Sequence, residues 1–349
     1  MFYDSADLHR NKRSIAINLQ DSRGVEIVRK LARNADVVVE NFRPGVKHRL
    51  GVDYQALSAE NPRLIYASIS GFGQEGQYRD RAGYDQIVQG MSGLMWLNGD
   101  ENSAPLRAGI PICDLLAGYF AAIGILTALL ERETSGRGQQ VQTSLLEAMT
   151  ASLSFQAAKF ANTGETPPPV GNHHPLTSPM GVYRGSDGYF NLAAGNDRMF
   201  TRLAEAIGRP DLSADPRFAG GFSRVQNRRD LDAVLDQVFI KRTAAEWVDA
   251  LNAAGVACGP IYKLDQVFAD PQVQLAGLLH EVANEAWGTH KVIGLPLTLS
   301  RTPPAVVHAA PMNGEHTRET LESLGYPAGV IETLLAERVV HQHGGDRHE

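Results

Sequence analysis

One carboxylate in the sequence has the surroundings of a possible nucleophile. Asp114 follows Pro111 and precedes a long apolar run over residues 115–130, which ends in charged residues at 131–133. The run is shorter than the ~20 residues of a bilayer-spanning helix. We therefore predict a buried core helix with Asp114 at its N-cap. Such an aspartate usually only accepts hydrogen bonds from free backbone N–H groups. A helix N-terminus also favours an ionised carboxylate, which can attack a carbonyl carbon.

A second cluster of polar residues contains two adjacent histidines, His173 and His174, which follow Gly171 and Asn172. Neighbouring side chains point in different directions along a helix or strand, so this pair is a poor metal site. The polarity of a loop explains it better, and we predict no metal. Fingerprints of dinucleotide binding (GxGxxG), serine hydrolases (GxSxG), zinc proteases (HExxH) and P-loop NTPases do not occur.

Composition narrows the class of protein. The 349 residues are 43% hydrophobic, which is enough for a substantial core and indicates two domains. The formal charge is −6 without a Lys/Arg cluster, so nucleic acid is not an expected partner. Cys113 and Cys258 lie far apart, which excludes a disulfide framework and suits a reducing cytoplasm. Residues 1–7 lack the features of a signal peptide. We expect a soluble cytoplasmic protein with no membrane partner.

Strands and helices alternate in the N-terminal half. Alternating residues predict the first strand and short apolar runs predict the second and third, with helical segments between them. The predicted strands are 14–19, 36–40, 64–69 and 140–144, and the predicted helices begin at 21, 54 and 145. This order indicates a doubly wound α/β sheet, whose ligands bind beyond the carboxyl ends of the strands. Asn41, Phe42 and residues 70–73 occupy that position.

The composition changes at the proline-rich segment 165–169. Beyond it, residues 180–194 have the pattern of a β-hairpin, and helices are predicted at 197–207, 228–239, 244–254 and 317–324. We predict a large domain of residues 1–165 and 305–340 and a small α+β domain of residues 181–284. Linkers at 166–180 and 285–304 join them, and residues 341–349 form a disordered tail.

Several motifs together resemble a known family. They cover nearly the whole chain, and the longest are NKRSIAINL (11–19), ADVVVENFRPGV (35–46), NPRLIYASISGFGQEGQYRDRAGYD (61–85), PICDLLAG (111–118), SGRGQQVQTSLLEA (135–148) and AGVACGPIY (254–262). In these segments the sequence resembles the class III CoA-transferases of the formyl-CoA transferase and carnitine CoA-transferase type. The resemblance implies a Rossmann-like large domain, a small α+β domain and an interlocked homodimer.

The resemblance also implies roles for individual residues. Asp114 matches the catalytic aspartate, which would attack the acyl-CoA carbonyl and form a covalent aspartyl intermediate. The positions that match contacts of coenzyme A or the active site are Ile17, Asn41, Phe42, Arg49 and Tyr84. The segment Gly171, Asn172, His173, His174 matches a mobile glycine-rich loop, although it reads GNHHP here. Coenzyme A would be a substrate, and no metal or other cofactor is expected.

Two alternatives stay open at this stage. The related α-methylacyl-CoA racemases need opposed acid/base groups, but this chain has Cys113 and Gln142 at the matching positions. We therefore favour a transferase. Members of the family also begin with a further strand–helix unit before the segment that matches Asn11–Leu19. If that unit is missing, the chain could be a CoA-binding homologue with little or no activity.

Overall fold

The computed structural model describes residues 2–103 and 105–344, which form two units. The first contains the described residues of Met1–Ser92, Ile110–Leu153 and Ala269–Glu349, and the second contains those of Gly93–Gly109 and Ser154–Phe268. Each unit mixes helices and strands, as the sequence predicts.

The strands of the described residues are β1 (Ala16–Ile17), β2 (Val37–Glu40), β3 (Ile65–Ser70), β4 (Gln140–Ser144), β5 (Met180–Arg184), β6 (Tyr189–Ala193), β7 (Ala257–Pro260), β8 (Leu279–Asn284), β9 (Gly288–Ile293) and β10 (Val340–His341). The predicted strands at 36–40, 64–69 and 140–144 are confirmed to within one residue.

The helices of the same residues are α1 (Phe2–Leu8), α2 (Ser22–Arg33), α3 (Pro44–Leu50), α4 (Tyr54–Glu60), α5 (Asp85–Met91), α6 (Leu94–Leu97), α7 (Ile112–Ser135), α8 (Leu145–Ser152), α9 (Ser154–Thr163), α10 (Asp197–Ala206), α11 (Gly221–Gln226), α12 (Arg228–Phe239), α13 (Ala244–Ala253), α14 (Leu264–Ala269), α15 (Pro271–Leu275), α16 (Thr317–Ser323) and α17 (Ala328–Ala336), with a 3₁₀ turn at Pro210–Ser213. The single helix predicted from residue 145 is divided, because Ser154 has a left-handed φ of 52°.

The first unit has a parallel sheet in the order β2-β3-β4. Its central strand is fully buried at Ile65, Tyr66 and Ala67, which explains its continuous apolar run. The carboxyl ends of the three strands reach one edge, where Ser70 of β3 lies opposite Ser144 of β4. This edge is where a parallel sheet binds its ligands.

Helix α7 packs on this sheet through a stripe of mostly small side chains. Its buried residues are Cys113, Ala117, Ala121, Ala128 and Arg132. A Cβ built on Gly124 would lie 2.7 Å from Cγ1 of Val141 in β4, so glycine permits the close approach.

The opposite face of α7 contradicts the predicted buried core helix. Leu126 and Leu130 are 65% and 76% exposed, and Tyr119 and Ile123 are also exposed. The sheet can cover only the narrow stripe of small residues, so the bulky apolar side chains point away from it. By length and composition alone α7 could also cross a membrane, which is weak evidence for such a role.

The predicted strand 14–19 and the predicted tail need correction. Only Ala16–Ile17 forms a strand, and it pairs antiparallel with Val340–His341 rather than joining the parallel sheet. His341 pairs with Ala16 in this ladder, and Gln342 Nε2 donates to the Glu315 carbonyl at 2.8 Å, so the order of the chain extends into the segment predicted as disordered. The rest of that prediction, residues 345–349, lies outside the described residues.

The second unit contains the antiparallel sheet β5-β6-β7 and an aromatic core with Phe190, Phe239 and Trp247. The predicted hairpin and the helices at 197–207, 228–239 and 244–254 are present.

The unit boundaries differ from the predicted domains. Residues 154–180 belong to the second unit, because Trp96 Nε1 donates to the Pro167 carbonyl at 3.2 Å and the Gly171 N–H donates to the Gly99 carbonyl. The hairpin β8–β9 belongs to the first unit, where the Ile293 N–H donates to Asp7 Oδ1 at 2.6 Å.

The packing of α7 predicts opposite effects at its two glycines. Gly124→Ala places a Cβ against Val141, and we expect it to lower the free energy of unfolding by ~1–2 kcal/mol despite its better helix propensity. Gly118→Ala meets no described atom of another segment within 4 Å and should raise this energy by up to ~1 kcal/mol. Urea unfolding of both variants tests this, and equal stabilisation would contradict the packing account.

Candidate active site

The N-terminus of α7 holds the candidate nucleophile, although not as its cap. The N-cap is Pro111, and Asp114 is the third helical residue. Pro111 has φ −76° and ψ 65°, and the Ile112 N–H donates to the Ile110 carbonyl across it at 2.8 Å. These angles define an inverse γ-turn. The predicted N-cap assignment was therefore wrong, because the proline turn starts the helix three residues earlier.

The side chain that caps α7 comes from another helix. Asp85, the first residue of α5, accepts the Cys113 N–H at 2.9 Å with its Oδ1. Its Oδ2 accepts a hydrogen bond from Gln89 Nε2 at 2.7 Å, and the same Nε2 donates to the Ile110 carbonyl at 3.2 Å. Asp85 and Gln89 are 7% and 0% exposed. The sequence predicts a role for neither residue, because a cap 28 positions earlier gives no local signal.

The charges near Asp114 change its acidity. Partial burial and, second, the negative charge of Asp85 raise the pKa of the Asp114 carboxyl above its usual value. Burial, with the charges of Asp85 and Asp114, also raises the pKa of Cys113 to about 12. The Cys113 side chain is therefore a neutral thiol at neutral pH. Asp114 is open to solvent in the single chain and Cys113 is buried, so the carboxylate is the accessible group of the two.

The start of α5 is held against the carboxyl end of β3 by two glycines. A Cβ built on Gly71 would lie 2.6 Å from the Cα of Gly83, so neither position accepts a side chain without movement. The Leu146 N–H donates to the Gly71 carbonyl, which ties the same turn to α8. Tyr84 follows directly as the exposed N-cap residue of α5, one position before Asp85.

A buried ion pair organises the carboxyl end of β2. Lys47 Nζ lies 2.5 Å from Oε1 of Glu40 and also contacts Ser68 Oγ and Gln74 Oε1 at 2.8 and 2.7 Å. Lys47 is 2% exposed. The second Glu40 oxygen accepts the Phe42 N–H at 2.7 Å. Sequence reasoning missed Lys47, because a lysine in a polar helix is ordinarily exposed.

The other residues expected to bind coenzyme A lie in different places in the first unit. Asn41 donates from Nδ2 to the Ile69 carbonyl at 2.8 Å, which joins the ends of β2 and β3. Arg49 is exposed in the last turn of α3, beside His48. Ile17, in β1, lines a cavity of about 870 Å³ whose wall also includes Arg318 and Arg338.

The predicted loop residues Gly171, Asn172, His173 and His174 lie in the second unit. With Cys258 they line a cavity of about 500 Å³. Arg228 Nη2 donates to the His174 carbonyl at 2.6 Å and to that of Thr177 at 3.1 Å. The His174 ring stacks on Phe155. Among the described residues, no group of three or more His, Cys, Asp or Glu side chains could hold a metal ion.

Comparisons with known proteins agree with the resemblance seen in the sequence. The family model described as CoA-transferase family III matches residues 5–317. A succinate–glutarate CoA-transferase of Agrobacterium fabrum is 37% identical over 316 residues, which cover 90% of this chain and 79% of the relative. The human succinyl-CoA:glutarate CoA-transferase is 34% identical over 96% of this chain and 77% of the relative. An acetyl-CoA:oxalate CoA-transferase of Acetobacter aceti is 40% identical over 78% of this chain and 70% of the relative.

Solved structures show the same fold. A CAIB/BAIF family protein from Brucella suis is 36% identical and superposes with a TM-score of 0.80, covering 92% of this chain and 83% of that one. Rv3272 from Mycobacterium tuberculosis is 30% identical, with a TM-score of 0.82 and coverage of 90% and 85%.

The buried ion pair predicts a strong effect on stability. Lys47→Met leaves the Glu40 carboxylate buried without its partner charge, so we expect the free energy of unfolding to fall by about 3–5 kcal/mol. The matched control is Lys159→Met, which removes an exposed lysine 3.3 Å from Glu165 and should change that energy by less than ~1 kcal/mol. Urea unfolding measures both, and equal small effects would show that Lys47 does not stabilise the sheet edge.

Proposed function

Because the chain belongs to CoA-transferase family III, we propose that Asp114 carries the acyl group and the coenzyme A through covalent intermediates. The chain is a CoA-transferase, and CoA-transferases act on an acyl-CoA and a carboxylic acid. The observation that supports the assignment is the place of Asp114 in the first turn of α7, where the carboxylate is accessible and more basic than usual.

The proposed reaction exchanges acyl groups at one carboxylate. Asp114 attacks the thioester carbonyl of the donor, the C–S bond breaks, and the CoA thiolate leaves an aspartyl–acyl anhydride. The thiolate then attacks the aspartyl carbonyl, which releases the donor acid and forms an aspartyl-CoA thioester. The acceptor carboxylate attacks that thioester and expels the thiolate, which finally attacks the acceptor acyl carbonyl. Asp114 is regenerated as a carboxylate, and the acceptor leaves as its CoA thioester.

Transfer is favoured over racemisation by the groups beside Asp114. Racemisation needs one group to remove the α-proton and an opposed group to return a proton. Cys113 is buried and has a pKa of about 12, so it is a poor base at neutral pH. Gln142, at the second position, has a neutral amide side chain that neither accepts nor gives up a proton as a base or acid near neutral pH. The nucleophile is therefore present without the acid/base pair.

The resemblance to class III CoA-transferases implies which residues would bind the substrates. Ile17, Asn41, Phe42, Arg49 and Tyr84 would contact coenzyme A or the acyl group, and the loop from Gly171 to His174 would act over the active site. Arginine is suited to the CoA phosphates because its guanidinium donates two parallel hydrogen bonds.

The proposal extends to the cofactor requirement and to the cellular location of the protein. Coenzyme A is a substrate, and the steps above need no metal or redox cofactor because a thiolate is an adequate leaving group. The two distant cysteines suit the reducing cytoplasm. The first unit would be a Rossmann-like domain built on β2-β3-β4.

The assembly is proposed to be a homodimer with interlocked chains. The exposed apolar face of α7, formed by Tyr119, Ile123, Leu126 and Leu130, is the surface that a second copy would cover. Large exposed apolar patches on a folded chain commonly mark such interfaces. Neither nucleic acid nor a membrane is proposed as a partner.

Substitution of Asp114 tests the mechanism. We expect Asp114→Asn to abolish transfer, because the amide cannot form the anhydride. Succinyl-CoA with glutarate, and acetyl-CoA with oxalate, are the first substrate pairs to assay. Hydroxylamine added during turnover should convert Asp114 to a hydroxamate that mass spectrometry detects. Near-normal transfer by the variant would overturn the assignment.

The control for this experiment is Asp265→Asn, which changes an exposed aspartate in the first turn of α14 and should leave transfer unchanged.

The stability of the Asp114→Asn variant gives a second control. The raised pKa means that the folded state favours the protonated Asp114 carboxyl. This contribution to stability is present below the unfolded pKa of ~3.9 and is lost as the pH rises through the folded-state pKa. Asp114→Asn should therefore be at least as stable as the natural chain at pH 7.

The dimer proposal is tested by the double variant Leu126→Glu, Leu130→Glu. We expect light scattering to give twice the chain mass for the natural protein and a monomer or aggregate for the variant, because two charges would enter the covered face. Leu264→Glu, at another exposed leucine, should leave the mass unchanged. A monomeric natural protein, or one that sediments with lipid vesicles, would contradict the proposal.

A further inference from the structure

We propose that Asp85 is a positioning residue for the transfer reaction, which fixes the Asp114 carboxylate by capping α7 from α5. This inference rests on the proposed function, because it assigns a role in that reaction. Asp85 itself does not need to touch the substrate. Its effect reaches the nucleophile through one backbone N–H and one residue of chain.

The geometry joins α5 to the segment before Asp114 at two points. Asp85 Oδ1 accepts the Cys113 N–H at 2.9 Å, and Gln89 Nε2 donates to the Ile110 carbonyl at 3.2 Å. The hydrogen bond of 2.7 Å between Gln89 Nε2 and Asp85 Oδ2 links the two contacts. Residues 110–113 are thus held from both sides of the proline turn. Because Asp114 comes directly after this segment, its backbone position follows from the same hydrogen bonds.

A carboxylate at position 85 satisfies this arrangement better than an amide would. Both oxygens of Asp85 accept from an N–H donor, namely Cys113 N–H and Gln89 Nε2. An asparagine has only one acceptor oxygen, and its NH₂ group would face the Gln89 NH₂ group. A flip of the Gln89 amide would remove that conflict but would turn an oxygen toward the Ile110 carbonyl. The network therefore requires an acceptor-only side chain.

The charge of Asp85 has a consequence for the nucleophile. Partial burial is the larger cause of the raised pKa of Asp114, and the nearby Asp85 carboxylate adds to it by disfavouring ionisation of Asp114. The other titratable groups on the elements packed at this end of α7 are Tyr84 of α5, Cys113 of α7 and Glu147 of α8. Cys113 is uncharged at neutral pH, and Glu147 is engaged with Ser144 Oγ at 2.7 Å. Asp85 is therefore the anion whose removal should alter Asp114.

The test is Asp85→Asn, which keeps an acceptor for the Cys113 N–H and removes the charge. Transfer requires ionised Asp114, so kcat rises with pH through the pKa of Asp114. Without the charge of Asp85 this pKa falls, and the acidic limb of the pH–rate profile should move to lower pH. We also expect kcat at pH 7 to fall by about tenfold or more, because the helix start is less firmly held. A merely structural role would lower activity without moving the limb.

A readout without substrate separates this inference from the proposed function. In protein labelled with ¹³C at aspartate carboxyl groups, the Asp114 signal is identified by its loss in Asp114→Asn. Its titration midpoint should move to lower pH in Asp85→Asn. If the natural protein does not transfer coenzyme A but the midpoint moves, the proposed function fails and the influence of Asp85 on the Asp114 carboxyl stands. If neither the midpoint nor the acidic limb moves, the positioning role is overturned.

The matched control is Asp270→Asn. Asp270 also caps a helix of the first unit, since its Oδ1 accepts the Gln272 N–H at 2.8 Å at the start of α15. This variant should change neither the Asp114 titration nor the pH–rate profile. A shift of equal size in Asp270→Asn would show that the effect is not specific to Asp85.

Discussion

The close attachment of α7 to the parallel sheet is the constraint on which the candidate site depends. Gly124 and the buried alanines let the helix axis approach β4, where a larger side chain would strike Val141. Arg132 anchors the far end of the helix, with Nη2 2.8 Å from Asp36 Oδ1 at the start of β2. Asp85 holds the near end at the opposite edge of the sheet. A rigid helix fixed at both ends carries its third residue, Asp114, to a defined place at the edge formed by the carboxyl ends of the strands.

The same packing explains why the helix leaves so much apolar surface uncovered. A stripe of small side chains against the sheet forces the larger ones to the other face, where Leu126 and Leu130 are mostly exposed. Covering a leucine side chain contributes about 1.5–3 kcal/mol, so this face strongly favours association. In the proposed dimer, the helix that carries the nucleophile would also form the contact between chains. Assembly and site geometry would then depend on one element.

Local sequence signals predicted much of the secondary structure, but they did not predict the contacts that build the candidate site. Apolar runs identified β2 and β3 because buried parallel strands have few other requirements. The N-cap was misassigned because the proline turn at Pro111 and the distant carboxylate of Asp85 replace an ordinary local cap. Lys47 was missed because its burial depends on Glu40, Ser68 and Gln74 converging in three dimensions. The assignment of Asp114 came from the family resemblance, since spacing alone favoured a cap.

Two opposing electrostatic effects at the start of α7 act on the Asp114 carboxylate. The helix N-terminus carries a partial positive charge, which favours an anion in the first turn. Asp85 accepts one of the exposed N–H groups and adds a negative charge, so it reduces that field where Asp114 lies. A fully stabilised carboxylate would be a weak nucleophile, because basicity and nucleophilicity fall together. A carboxylate that is ionised but incompletely stabilised is more reactive toward an acyl carbon. Partial burial is the larger cause of the raised pKa of Asp114, and the charge of Asp85 adds to it. By accepting the Cys113 N–H, the same Asp85 side chain also fixes the start of the helix that carries this candidate nucleophile.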